Sequence, residues 1–154
     1  ASDHIESDKI IIVTGPQIES DFIQNSDKII KKKYLDNIME WMKLSDLVIS
    51  LAGHTTTMEL ASIGIPNILV PIDNHPEQAK NALNMEKYGI SIINNLKDLN
   101  PLNFAANINN ALNDSELRIN AEAVRRKFSK YNGNQNAVEI ISHYANTNEN
   151  IPDN

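Results

Sequence analysis

Short, wholly apolar runs alternate with longer amphipathic stretches over the first two-thirds of the chain, and only amphipathic stretches follow. Lys9 to Thr14 (KIIIVT), closed by Gly15-Pro16, predicts a buried strand and a turn. Glu19 to Asn25 reads as a short helix or loop, and Ser26 to Lys32 as a second strand. Leu35 to Leu44 places Leu35, Ile38, Met39 and Met42 on one helical face. Asp46 to Leu51 (DLVISL) is a third strand, stopped by Ala52-Gly53. Thr56 to Ile63 then predicts a helix ending at Gly64, the residue most at ease in the left-handed turn past a helix end. Asn67 to Ile72 is a strand, Glu77 to Tyr88 a helix closed by Gly89, and Ile90 to Ile93 the last strand. Three more helices are predicted over Pro101–Leu112, Ser115–Tyr131 and Asn136–Ala145. The polar tail from Asn146 to Asn154 is expected to fray.

Strands that are apolar throughout, rather than alternating, are those covered on both faces. Separated by helices, they predict an α/β fold: a Rossmann-like parallel sheet with helices on either side. The 154 residues suffice for one domain, taken as 1–154, with no internal repeat. A net charge of −6 makes a phosphate-backbone partner a poor fit, so no nucleic acid is expected. The single basic cluster is Lys28, Lys31, Lys32 and Lys33. It reads as a solvated strand end, or as a weak peripheral contact with an anionic membrane surface. No apolar run reaches the roughly 20 residues of a spanning helix. The polar start Ala1–Asp8 does not have the form of a signal peptide. The absence of cysteine is compatible with a reducing, cytoplasmic setting.

In an open parallel sheet, ligands bind beyond the carboxyl ends of the strands, where helix N-termini present free N–H groups. Two such places stand out. At Ser50–Glu59 (SLAGHTTTME) a strand runs through a glycine turn into a helix. Gly53 allows close backbone approach, and His54, Thr55 and Thr56 add donors suited to a diphosphate. Glu59, an acceptor-only carboxylate one turn further on, suits vicinal hydroxyls such as those of ribose. The competing reading is that Thr56-x-x-Glu59 is a capping box, which needs no ligand. At Pro71–Ala82 (PIDNHPEQAKNA) a polar loop leads into a helix carrying Glu77, Gln78 and Asn81. Gln78 and Asn81 share a face and offer the mixed donors and acceptors that sugar hydroxyls require. Here the competing reading is a solvated helix start with Pro76 at its first position.

Together the two segments form an ordered pattern, S-x-x-G-x-x-T-x-x-E, then G-x-P, then E-Q-x-x-N-A. In this pattern Asp46–Ala82 resembles the donor-binding half of the GT-B glycosyltransferases. The nearest branch is that of the peptidoglycan N-acetylglucosaminyltransferase, and the segment is also similar to the soluble catalytic subunit of the eukaryotic lipid-linked GlcNAc transferase. More weakly, the resemblance extends from Tyr34 to Ser142. It implies that the chain is one half of a GT-B fold. Gly53, His54, Thr55 and Thr56 would then line the diphosphate, with Glu59 on the ribose. The backbone of Tyr34 and Leu35 would meet the uracil edge, and Glu77, Gln78 and Asn81 the donor sugar. It further implies a hexosyltransferase acting on UDP-GlcNAc without metal or other cofactor, at the cytoplasmic membrane face. The catalytic base would lie on a separate acceptor-binding domain or subunit, so this chain alone would be inactive and holds no catalytic residue of its own.

Several features depart from that pattern. Leu51 stands where related enzymes often carry Arg or His, and Glu77 replaces a common Gln. The family's first strand and Gly-rich loop have no counterpart before Lys9. Two other readings follow. One is a UDP-sugar 2-epimerase-like domain, disfavoured because no arginine precedes Arg118. The other is a non-catalytic binding or assembly module. His4, His54, His75 and His143 show no metal-ligand spacing.

Overall fold

The computed structural model describes residues 2–19, 21, 23 and 26–147. Among the described residues there are five strands: β1 (Ile10–Val13), β2 (Ile29–Lys32), β3 (Val48–Ser50), β4 (Asn67–Leu69) and β5 (Ser91–Ile93). The helices are α1 (Ile38–Lys43), α2 (His54–Ile63), α3 (Pro76–Lys87), α4 (Pro101–Asn113), α5 (Ser115–Phe128) and α6 (Gly133–Thr147). Every strand pair is parallel, as the apolar runs predict. The ladders form two sheets rather than one, β1-β2 and β3-β4-β5.

The chemistry of β4 explains the second sheet. Ile68 and Leu69 are fully buried and, being adjacent, face opposite sides. Ile68 joins a cluster with Ile108 and Ala111 of α4 and Leu117 of α5. Leu69 joins Met42 of α1, Leu60 of α2, Met85 of α3 and Val124 of α5. Helices therefore cover both faces, and a strand buried on both faces needs no polar alternation. At the amino edge, the buried Asn67 amide donates to the Ile65 and Ile90 carbonyls, each at 3.1 Å, and Ser91 Oγ donates to its Oδ1.

The predicted helix and strand centres are correct and their ends move. Strands are trimmed by one to three residues because the flanking residues turn into loops. α1 starts at Ile38, not Leu35, since Asp36-Asn37 favours a turn and Leu35 is already buried before the helix begins. α2 starts two residues earlier than predicted. Gly64 ends it with φ +72°, and both Gly64 and Ile65 N–H return to the Leu60 carbonyl. A Cβ on Gly64 would stand 2.7 Å from Arg125 Cβ, so the same glycine also lets α5 pack close. α6 runs through Asn146 and Thr147, which the sequence assigned to the tail; the rest of that tail, 148–154, lies outside the described residues. In the expected helix or loop 19–25, Glu19, Asp21 and Ile23 lie in neither a helix nor a strand, and the other four residues lie outside the described ones.

Of the lysine cluster, Lys28 Nζ donates to the Ile5 carbonyl and Lys31 Nζ to that of Ile23 (2.8 Å). Two of the four ammonium groups thus hold the chain around β1 and β2. No helix among the described residues is long and apolar enough to cross a membrane.

Candidate functional site

Parallel pairing fixes where the two singled-out turns lie. Ser50 is registered with Leu69, and Leu69 with Ile93. The three strands therefore end together, and their following loops leave from one edge. Residues 51–53 and 70–75 both leave that edge, and α3, which follows the second loop, is tied to the first by a hydrogen bond from Asn81 Nδ2 to the Ala52 carbonyl at 3.2 Å. The threonine turn and the glutamine–asparagine turn therefore lie at the same edge of the sheet.

The start of α2 differs from the capping-box reading in an informative way. Its N-cap is Gly53, with no side-chain cap, and Thr56 is its third residue. The Thr56–Glu59 box does not form. The first intrahelical bond runs from Thr57 N–H to the Gly53 carbonyl at 3.0 Å. Among the described residues, the N–H groups of Gly53, His54, Thr55 and Thr56 have no hydrogen-bond partner. Four uncommitted donors at the positive end of a ten-residue helix form an anion-binding arrangement. His54 and Thr55 are exposed, and Gly53 and Thr56 half-buried. The third threonine, Thr57, is buried and donates to the His54 carbonyl at 2.8 Å, so it is structural.

Gly53 itself does not serve the turn as expected. Its φ of −60° suits any residue, and a Cβ there would meet nothing within 4 Å. The left-handed residue is Ala52, at φ +63° and fully buried. What Gly53 leaves is open space beside the free N–H groups. The Glu59 carboxylate is half-buried and makes no hydrogen bond or ion pair among the described residues, so it remains free to accept.

The second turn is more committed. His75 caps α3, its Nδ1 accepting from Gln78 N–H, and Pro76 occupies the first helical position. Gln78 Oε1 accepts from Ile72 N–H at 2.9 Å. Gln78 thus keeps its Nε2 donors free, and Asn81 keeps its Oδ1 acceptor. Glu77 is exposed on the first turn of α3. Asn74, at φ +61°, is the second positive-φ residue other than glycine among those described, so both strained positions fall in the two turns of the site. On the far side of the 70–75 loop an open depression of about 450 Å³ is lined by Ile72, Asp73, His75, Ala79 and Asn95.

Tyr34 and Leu35 follow β2, in the other sheet. Tyr34 is exposed and Leu35 is buried, so Leu35 has only backbone to offer. Among the described residues no hydrogen bond joins that loop to the two turns. Leu51, at the position of the absent cation, is half exposed on the lip of the threonine turn. Among the described residues no three His, Asp or Glu side chains converge. Ser50, the first position of the sequence pattern but assigned no role there, has its Oγ buried without a partner at the end of β3.

Residues 2–141 match the glycosyltransferase family 28 C-terminal domain. The chain belongs to that family. One similar protein is the UDP-N-acetylglucosamine–N-acetylmuramyl-(pentapeptide) pyrophosphoryl-undecaprenol N-acetylglucosamine transferase of Finegoldia magna, 37% identical over 71% of this chain and 31% of the relative. Another is an uncharacterized glycosyltransferase of Methanopyrus kandleri, 38% identical over 52% of this chain and 23% of the relative. Among solved structures, the glycotransferase of kitacinnamycin superposes with a TM-score of 0.79 at 15% identity, covering 88% of this chain and 34% of that one. The calicheamicin glycosyltransferase gives 0.79 at 14% identity, covering 90% and 35%. At those identities the likeness is one of fold, that of the C-terminal half of GT-B enzymes. The family 28 domain described here spans about a third or less of the length of each of these proteins.

Proposed function

We propose that this domain binds a nucleotide sugar, UDP-GlcNAc, as the donor half of a glycosyltransferase whose acceptor is held by a separate domain or subunit. The observation that carries the reading is the uncapped start of α2, four free N–H groups beside an unencumbered glycine, joined through Asn81 to an amide-bearing helix. Gly53, His54, Thr55 and Thr56 would receive the diphosphate. Glu59 would accept from the ribose hydroxyls, and the Tyr34–Leu35 backbone would meet the uracil edge. Gln78 Nε2, Asn81 Oδ1 and Glu77 would meet the sugar.

The chemistry follows from this placement. In an in-line displacement at the anomeric carbon, negative charge grows on the departing diphosphate. Fixed N–H dipoles at a helix start stabilise that charge without reorganising, with no metal required. The base that deprotonates the acceptor would come from the other domain. The Finegoldia magna relative, named for a UDP-GlcNAc reaction, supports the choice of donor. Contact with a membrane surface and a cytoplasmic location are part of the same proposal and rest on that likeness alone.

Titration calorimetry with UDP tests it. The protein should bind UDP, and Glu59→Ala should weaken binding about tenfold or more, the loss of a charged acceptor being worth about 1.5–3 kcal/mol. No heat of binding with the unaltered protein would end the reading.

A further inference from the structure

Ala52 lies at the junction of β3 and α2 in a backbone conformation that a Cβ disfavours, and it is fully buried. Such a residue persists only where its surroundings fix it. Ala52 packs in the core with Leu60, Leu69 and Met85, and the hydrogen bond to its carbonyl comes from another element: Asn81 of α3 donates to it at 3.2 Å. The carbonyl of Ala52 and the N–H of Gly53 belong to one planar trans peptide and point in opposite directions. Whatever holds the oxygen therefore sets the direction of the hydrogen. That N–H is the first of the four free donors.

We infer that Asn81 is a positioning residue for the diphosphate-facing turn, acting through the Ala52 carbonyl to aim the Gly53 N–H, in addition to facing the sugar. The inference rests on the nucleotide-sugar reading for its consequence in binding, but the link itself exists without ligand. It makes one amide serve both halves of the donor: Oδ1 remains for the sugar while Nδ2 sets the diphosphate cradle. Gln78 supports the arrangement by pinning the loop before α3 through Ile72 N–H at 2.9 Å, which keeps the α3 start in place.

UDP, which carries no sugar, is the discriminating probe. A residue that only contacts sugar leaves UDP affinity unchanged when it is altered. A residue that aims the Gly53 N–H weakens UDP itself. The experiment compares UDP and UDP-GlcNAc titrations for the unaltered chain, Asn81→Ala and the near-isosteric Asn81→Asp, each checked for folding by circular dichroism. It repeats Asn81→Ala in an Ala52→Gly background, where the left-handed conformation no longer needs holding. The expected result is a loss of about tenfold for UDP in both single variants and a markedly smaller effect of Asn81→Ala beside Ala52→Gly.

Ligand-free amide NMR separates this inference from the functional reading. The Gly53 resonance should shift and broaden in Asn81→Ala whether or not UDP binds. If the unaltered chain fails to bind UDP yet Gly53 moves, the nucleotide reading falls and the link stands. If Gly53 does not move, or if the Asn81 variants weaken UDP-GlcNAc and leave UDP unchanged, the positioning role is overturned.

Discussion

At the scale of single residues, the site is recognised by what is left unpaired. A helix start is normally capped by Ser, Thr, Asp or Asn, whose side-chain oxygen takes one of the free N–H groups. Here the N-cap is Gly53, which cannot, although its φ and ψ and the empty space around it would admit serine. This makes Gly53→Ser an incisive change. The new hydroxyl should cap α2 and raise stability by a few tenths of a kcal/mol. It should also weaken UDP, because it occupies the donors that the diphosphate would use. Thermal unfolding followed by UDP titration on the same sample reads both signs. Better binding together with higher stability would contradict the assignment of those donors to the ligand. The same local argument explains why Glu59 could not be assigned from its spacing alone. Thr56-x-x-Glu59 satisfies the capping-box rule in letters, but the helix begins at His54, placing Thr56 inside it.

At the scale of elements, the alternation of apolar runs and amphipathic stretches was enough for the parallel α/β order, and the reason is visible in β4. Ile68 and Leu69 are buried on opposite faces, and only a strand covered twice allows both to be apolar. The ends were less legible because they depend on tertiary contacts. Nothing near Ala52 announces a left-handed residue, since the group bonded to its carbonyl, Asn81, is 29 positions away. The two-sheet ladder was equally hidden, because pairing between β2 and β3 is not written into either run. α5 shows an electrostatic device of purely local origin. Glu122 accepts from Arg125 Nε and Nη2 at 2.6 and 2.7 Å and from Arg126 Nε at 2.9 Å. These hydrogen bonds, Arg125 first, bring its carboxyl from the ordinary 4.5 down to about 2. A depressed carboxylate stabilises the fold above its unfolded value, and that contribution fades as pH falls from about 4.5 toward about 2. The groups lie in solvent, so the effect is small and screened by salt. Glu122→Gln should therefore lower Tm slightly at neutral pH and low salt. The gap should close both on acidification and in molar salt. A gap that persists at pH 2 would mean that packing of Arg125 against Gly64, rather than charge, is what the substitution disturbs.

At the scale of the whole molecule, stability and binding meet in one measurable pattern. β4 lies between β3 and β5, and the core clusters on its two sides draw on α1 through α5. Its amides should exchange only when the domain unfolds globally. α6 is the opposite case. From Gly133 to Ala145 its side chains are exposed, apart from the half-buried Tyr144, so its amides should open locally and exchange early. A ligand that binds only the native state adds RT ln(1 + [L]/Kd) to global stability, about 2.7 kcal/mol at a hundredfold excess over Kd. That corresponds to about a hundredfold slower exchange for any amide that opens globally. UDP at that excess should thus slow Ile68 and Leu69 by about a hundredfold and leave α6 unchanged, even though neither element contributes a residue to the proposed site. Hydrogen exchange followed residue by residue checks this directly. Uniform slowing that includes α6 would show that the last helix unfolds with the core rather than on its own. No slowing at β4 would mean that UDP does not select the native fold, and the donor-site reading would fail independently of any mutation.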